Sequence, residues 1–115
     1  MAHYLRLDAV FVCTDSADSD EAFDDFTDRV FDELLKLQAI DTGIVEPDVT
    51  ANVAERKMSI LLGIEASTSR DAIRLFLANV RCALHAAECG TEEWPRYEPA
   101  DDPLPPVRHV DFADA

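Results

Sequence analysis

The chain has 115 residues, 48% of them apolar and 30% charged, with ten Lys and Arg against 24 Asp and Glu, a formal charge of -14. This length makes one domain, able to bury roughly two thirds of its unfolded surface without disulfides or a structural metal. The charge argues against DNA, RNA or anionic lipid as partners, because those are held by Lys and Arg that displace counterions.

Residues 4–13, YLRLDAVFVC, alternate Leu5, Leu7, Ala9 and Phe11 against Tyr4, Arg6, Asp8, Val10 and Val12, the period of a strand with one buried face. Seven acids follow between Asp15 and Asp28. Asp18 with Glu21 has capping-box spacing, and the next acids occupy first turns, where the helix dipole favours negative charge. Phe23, Phe26, Val30, Leu34 and Leu37 then recur at three- and four-residue steps, so a helix is expected from about 19 to 38. Its wet side carries Asp24, Asp25, Asp28 and Asp32, with Asp25–Arg29 and Asp32–Lys36 as i,i+4 pairs.

After Asp41-Thr42-Gly43, Val49, Ala51 and Val53 alternate, as do Met58, Ile60, Leu62 and Ile64. A two-residue turn at Glu55-Arg56 would set Val53 opposite Met58 and Ala51 opposite Ile60, although Glu-Arg lacks the Gly or Asn such turns prefer. Gly63 inside the second of these strands marks a bulge or a close backbone approach. Thr68 or Ser69 caps a second helix whose stripe is Ile73, Leu77, Val80, Leu84 and Ala87, ending at Gly90. Its far side, Leu75, Ala78, Cys82, Ala86 and Cys89, is apolar too, and a helix apolar on two sides has two neighbours.

Residues 91–115 hold five of the six Pro and a net charge of -5. DDPLPP is expected to be extended and VRHVDF to make a short strand. Trp94 is the expected anchor beyond the second helix, and Phe112–Ala115 are expected to be loose. The chain thus divides into a single α+β domain over 1–94 and a Pro-rich acidic extension over 95–115.

The order βαββα(β) resembles the ferredoxin-like two-layer sandwich, an antiparallel sheet with two helices on one face. The end of the second helix, HAAECGTEEWP, is similar to that of small uncharacterised bacterial proteins with a Thr-x-x-Trp segment. The resemblance implies a fold and a packed Trp94; it carries no activity and no catalytic residue.

Candidate chemistry is sparse. Asp15, Asp18, Asp20 and Glu21 suggest a calcium loop, but an EF-hand's Gly and bidentate Glu are missing at the required spacing. Cys82, His85 and Cys89 form C-x2-H-x3-C on one helix side, three weak metal candidates without a fourth ligand; small apolar side chains lining a helix contact are the simpler reading. Cys13 ends a strand among acids, without the nearby base or positive field that a reactive thiol needs. His3 and His109 read as solvated. Neither a Gly-rich phosphate loop nor a nucleophile elbow occurs, so no catalytic, cofactor-binding or metal residue is assigned and no cofactor is expected.

The leading expectation is a non-catalytic module that self-associates as a homodimer. Its interface candidates are Tyr4, Val10, Val12, Leu61, Leu75, Ala78, Cys82 and Trp94. A small enzyme or ligand-binding protein with a pocket near Cys13 or at a subunit boundary is the first alternative, and an acidic DNA mimic the second. Three Cys that cannot all pair, with no apolar leader and no membrane-length run, point to the cytoplasm.

Overall fold

The computed structural model of the chain describes residues 2–13, 18–88, 97–100 and 106–110. In chain order the elements are β1 (Ala2–Cys13), α1 (Asp20–Ile40), β2 (Ile44–Asn52), β3 (Lys57–Glu65), α2 (Ser69–Glu88), β4 (Tyr97–Pro99) and β5 (Arg108–His109). The strands form one antiparallel sheet in the order β2-β3-β1-β4, with β5 also paired to β1.

Alternation decides which face of the sheet is dry. Leu5, Leu7, Ala9 and Phe11 of β1 and Met58, Ile60, Leu62 and Ile64 of β3 are buried, in one cluster with Phe23, Phe26, Val30 and Leu34 of α1 and Ala72, Phe76, Val80 and Ala83 of α2. A single cluster containing both helices and only the odd-numbered side chains of β1 means that both helices lie on the same side of the sheet. Asp24, Asp25, Asp28 and Asp32 are exposed, as the wheel requires.

The α1 start differs from the expected capping box. Ser19, extended at φ -155°, is the N-cap, and its hydroxyl accepts from the Ala22 N–H at 3.0 Å. A Ser at this position satisfies an otherwise orphaned N–H as well as an Asp would. Asp18 is left outside the helix with its carboxylate available for other partners. Thr68 caps α2 in the same manner, accepting from the Asp71 N–H at 3.1 Å.

The hairpin is present with its register moved by two residues. Ala51 lies opposite Met58 and Val49 opposite Ile60, closed by Asn52 and Lys57. Because the side-chain period of a strand is two, this shift leaves the same side chains on the core face. The four-residue loop 53–56 avoids the demand of a two-residue turn for two positive φ angles: only Arg56 is left-handed, at φ 54°. The Arg56 N–H donates to the Val53 carbonyl at 3.1 Å, and Asn52 Oδ1 accepts from the Glu55 N–H at 3.3 Å.

Gly63 lies beside the expected bulge, but what comes close to it is side chain rather than another backbone. It pairs with Val45, just where the register jumps from Val45 to Asp48 and Glu46 turns left-handed at φ 46°. A Cβ on Gly63 would stand 2.8 Å from Tyr4 Cε1 and 3.1 Å from Val45 Cβ. Gly63→Ala should therefore lower stability by about 1–2 kcal/mol in urea titration, the usual cost of overpacking. Tyr4→Ala in that background should restore part of the loss, since it frees the ring contact and leaves the one to Val45.

The α2 core stripe is turned by roughly 50° from the expected one, taking 100° per residue. Ala72, Phe76, Val80, Ala83, Leu84 and Ala87 are buried, whereas Ile73 and Leu77 are half-buried at its margin. The expected stripe was set by the bulkiest aliphatic residues. The observed one instead buries small Ala72 and Ala83 together with Phe76 in the core cluster.

The segment after residue 95 contributes to the sheet. Cys13 pairs with Tyr97 and Phe11 with Pro99, while Leu5 pairs with His109 and Arg6 with Arg108. The Ala100 N–H donates to Val10 O at 2.7 Å and the Val110 N–H to Tyr4 O at 2.8 Å. β1 is thereby paired with β3 along one edge and with β4 and β5 at two stretches of the other, which shortens the template left for uncontrolled strand addition. Cys89, Gly90, Trp94 and Phe112–Ala115 lie outside the described residues.

Candidate functional site

Three polar or exposed regions stand out against this core, each built from a different set of elements.

The first is a knot at the start of α1. Tyr97 is buried with its ring 5.1 Å from Phe26 in a stacked arrangement and 5.2 Å from Phe23, edge-on. Its hydroxyl reaches out of this aromatic box to donate to Asp18 Oδ1 at 2.6 Å. Arg56 Nε donates to the same oxygen at 3.0 Å, and Arg56 Nη1 to Asp20 Oδ1 at 2.8 Å. The guanidinium also lies 5.7 Å from the Phe23 ring centroid. The phenol's hydrogen bond, with Arg56 beside it, holds the Asp18 carboxyl below its ordinary value. Burial, then the hydrogen bond to Asp18 and that carboxylate's charge, pushes the Tyr97 phenol well above its own.

This knot ties α1, the β2–β3 loop and β4 together, and it explains why Arg56 tolerates a left-handed backbone: its side chain has three fixed partners. Cys13 is half-buried beside Tyr97 in register. Asp18 and Asp20, considered above as calcium ligands, face a guanidinium instead.

The second region is the sheet's outer face. Asp8, opposite Ser59, accepts from Ser59 Oγ, from Arg6 Nε at 3.0 Å and from Arg108 Nη2. Burial raises this carboxyl, but the hydrogen bonds and the two guanidinium charges outweigh it and hold the group below its usual range. Beside the network is a shallow groove of about 220 Å³ lined by Arg6, Asp48, Thr50, Ser59, Leu61 and Val110. Small-molecule sites run to roughly 300–1,000 Å³ and enclose their ligand, so this groove is a weak candidate for one. Val10 and Val12 are 43% and 48% exposed at one end of the face. Tyr4 and Leu61 are half-buried, and the charged network separates Tyr4 from the two Val.

The third region is the outward side of α2, where Leu75, Ala78 and Cys82 are all exposed, Leu75 by 37%. The expected interface residues therefore fall on two separate surfaces, Tyr4, Val10, Val12 and Leu61 on the sheet and Leu75, Ala78 and Cys82 on the helix layer; Trp94 is outside the described residues. His85 is exposed near Cys82, and Cys89 is not described. Among the described residues no group of three or more His, Cys, Asp or Glu side chains is placed to hold a metal ion.

A last pair had no signal in the sequence: His109 Nε2 lies 2.9 Å from Ser69 Oγ, with the His3 ring 6.3 Å from that of His109. Residues 69 and 109 are both exposed. The contact fastens β5 to the start of α2. The Tyr97–Asp18–Arg56 knot was likewise missed, because its members lie 38 and 79 residues apart. Asp18 preceding a Ser that can itself cap a helix was the one available hint.

Fold and surfaces together define an α+β domain: an open antiparallel sheet, two helices, and polar clusters occupied by structural pairs. Comparison with protein-family models, curated proteins and solved structures returned no match. No helix among the described residues is long and apolar enough to cross a membrane.

Proposed function

We propose that this chain is a small non-catalytic module that works by self-association, as a homodimer, on a ferredoxin-like scaffold. The sheet order β2-β3-β1-β4 with two helices supports that scaffold. The observation that carries the functional reading is the exposure of neighbouring apolar side chains on surfaces that a lone domain would leave to water: Val10 with Val12, and Leu75 with Ala78 and Cys82. The polar groups best placed for chemistry support it from the other direction. Asp8, Asp18, Asp20 and Tyr97 are each committed to a guanidinium or to one another, which leaves little capacity to bind and turn over a substrate.

Multi-angle light scattering over the micromolar range, at low and at moderate salt, tests the reading. A mass of twice the monomer that falls on dilution is the expected result. A single monomer mass at every concentration and salt would refute it.

A further inference from the structure

α1 and α2 pack against each other on the sheet, so their outward sides form one continuous surface. The two halves of that surface differ in charge. On α1 the outward residues Asp24, Asp28 and Asp32 are exposed and make one i,i+4 row, flanked by the exposed Glu21 and Asp25. On α2, Arg70, Arg74 and Arg81 are exposed and fall within about 40° of one another at 100° per residue. They border the apolar strip of Leu75, Ala78 and Cys82. Arg74 has an acid of its own helix, Asp71, at 3.7 Å, a loose exposed pair that another carboxylate could replace.

We propose that the helix layer is the contact between two copies of this chain, related by a twofold axis that lays α2 of each copy on α1 of the other. The inference rests on the self-association reading above and names its surface. A twofold interface brings the same patch to itself, so it must be self-complementary. An acidic helix beside a basic one satisfies that condition: the crossing sets each row of Arg against a row of carboxylates and encloses the apolar strip between them. The outer face of the sheet lacks two such rows, since Arg6 and Arg108 converge on the one carboxylate of Asp8.

Magnitudes agree with a modest dimer. Two helices of about 30 Å side by side present roughly 600 Å² per copy, near the lower edge of stable interfaces, where about 800 Å² is usual. The chain's formal charge of -14 opposes association as a whole. That repulsion reaches about 30 Å at 0.01 M salt and about 8 Å at 0.15 M, whereas ion pairs in contact lose much less over the same range. Association should therefore be strongest at intermediate ionic strength and weaker on either side.

A charge exchange on the full chain tests the proposal by sedimentation equilibrium, with folding of every variant checked by circular dichroism. Arg70→Glu/Arg74→Glu/Arg81→Glu makes both helices acidic, and Asp24→Arg/Asp28→Arg/Asp32→Arg makes both basic. Each alone should weaken the dimer at least tenfold, their equimolar mixture should restore it as a heterodimer, and Arg81→Glu alone should give a smaller loss in the same direction. Val10→Asp/Val12→Asp should leave the dimer intact. Dimers that survive both charge reversals, a mixture of folded variants that stays monomeric, or loss of the dimer in the Val10/Val12 variant would overturn this surface while leaving self-association standing. A monomeric parent chain would overturn both.

Discussion

Replacing Tyr97 by Ala is expected to cost about 3–5 kcal/mol of folding stability, and replacing it by Phe only about 1 kcal/mol. The ring and the hydroxyl do different work. The ring is 1% exposed and closes a box with Phe11, Phe23 and Phe26, in which Phe11 and Phe26 stand 5.5 Å apart, edge to face. Removing it leaves a void that neighbours on β1 and α1 cannot collapse to fill. The hydroxyl makes a charge-assisted bond to Asp18, but that carboxylate is 36% exposed, so solvent screens much of the gain. Asp18→Ala and the double variant complete a cycle in which a coupling of about 0.5–1 kcal/mol is expected.

The hydroxyl also has a pH signature. Asp18 lies below its unfolded value of 3.8, so its contribution is complete above that value and is lost as the pH falls through the lower folded one. Tyr97 lies above its unfolded value of 10.0, so its contribution is complete below pH 10.0 and is lost as the pH rises toward the folded one. Tyr97→Phe should therefore flatten stability against pH on both limbs. Part of the acid limb will persist, because Asp8 is also held below 3.8. Urea midpoints of the parent and Tyr97→Phe at neutral pH, below 3.8 and above 10.0 measure this directly; equal slopes in the two proteins would show that the bond does not form.

How much of this was legible depended on the range of the interaction. Periodicity is local, so the alternation of Leu5, Leu7, Ala9 and Phe11 and the stripe of Phe23, Phe26, Val30 and Leu34 translated directly into buried faces. Register and capping depend on competition between near-equivalent neighbours. Ser19 displaced Asp18 as the cap, and the loop 53–56 lengthened to spare Glu55 a positive φ. The knot joining Asp18, Arg56 and Tyr97 depends on the fold being in place, and no spacing encodes it. Residues on the outward faces were identified as apolar from the sequence, but their division between two surfaces, and the polar network that interrupts one of them, required coordinates.

The phase of α2 provides the sharpest remaining test, because two adjacent residues exchange ranks between the periodic reading and the structure. Phe76→Ala should cost about 3–5 kcal/mol and Leu77→Ala only about 1–2 kcal/mol, both from urea denaturation. Phe76 is fully enclosed, in the same cluster as Val80 and Val30, whereas Leu77 packs against that cluster while keeping part of its surface in water. A half-exposed Leu loses only part of its transfer free energy on truncation and leaves a notch that water enters, so no dry cavity adds to the cost. With Ile73, Leu77 and Leu84 at the centre of the buried stripe the order would reverse, and the whole helix would be turned. Such a rotation would also turn Leu75 further from the core and bring the three Arg, which keep their place beside the apolar strip, toward the core's margin. The ratio of these two costs therefore reports on the surface α2 presents to a second copy as well as on the packing beneath it.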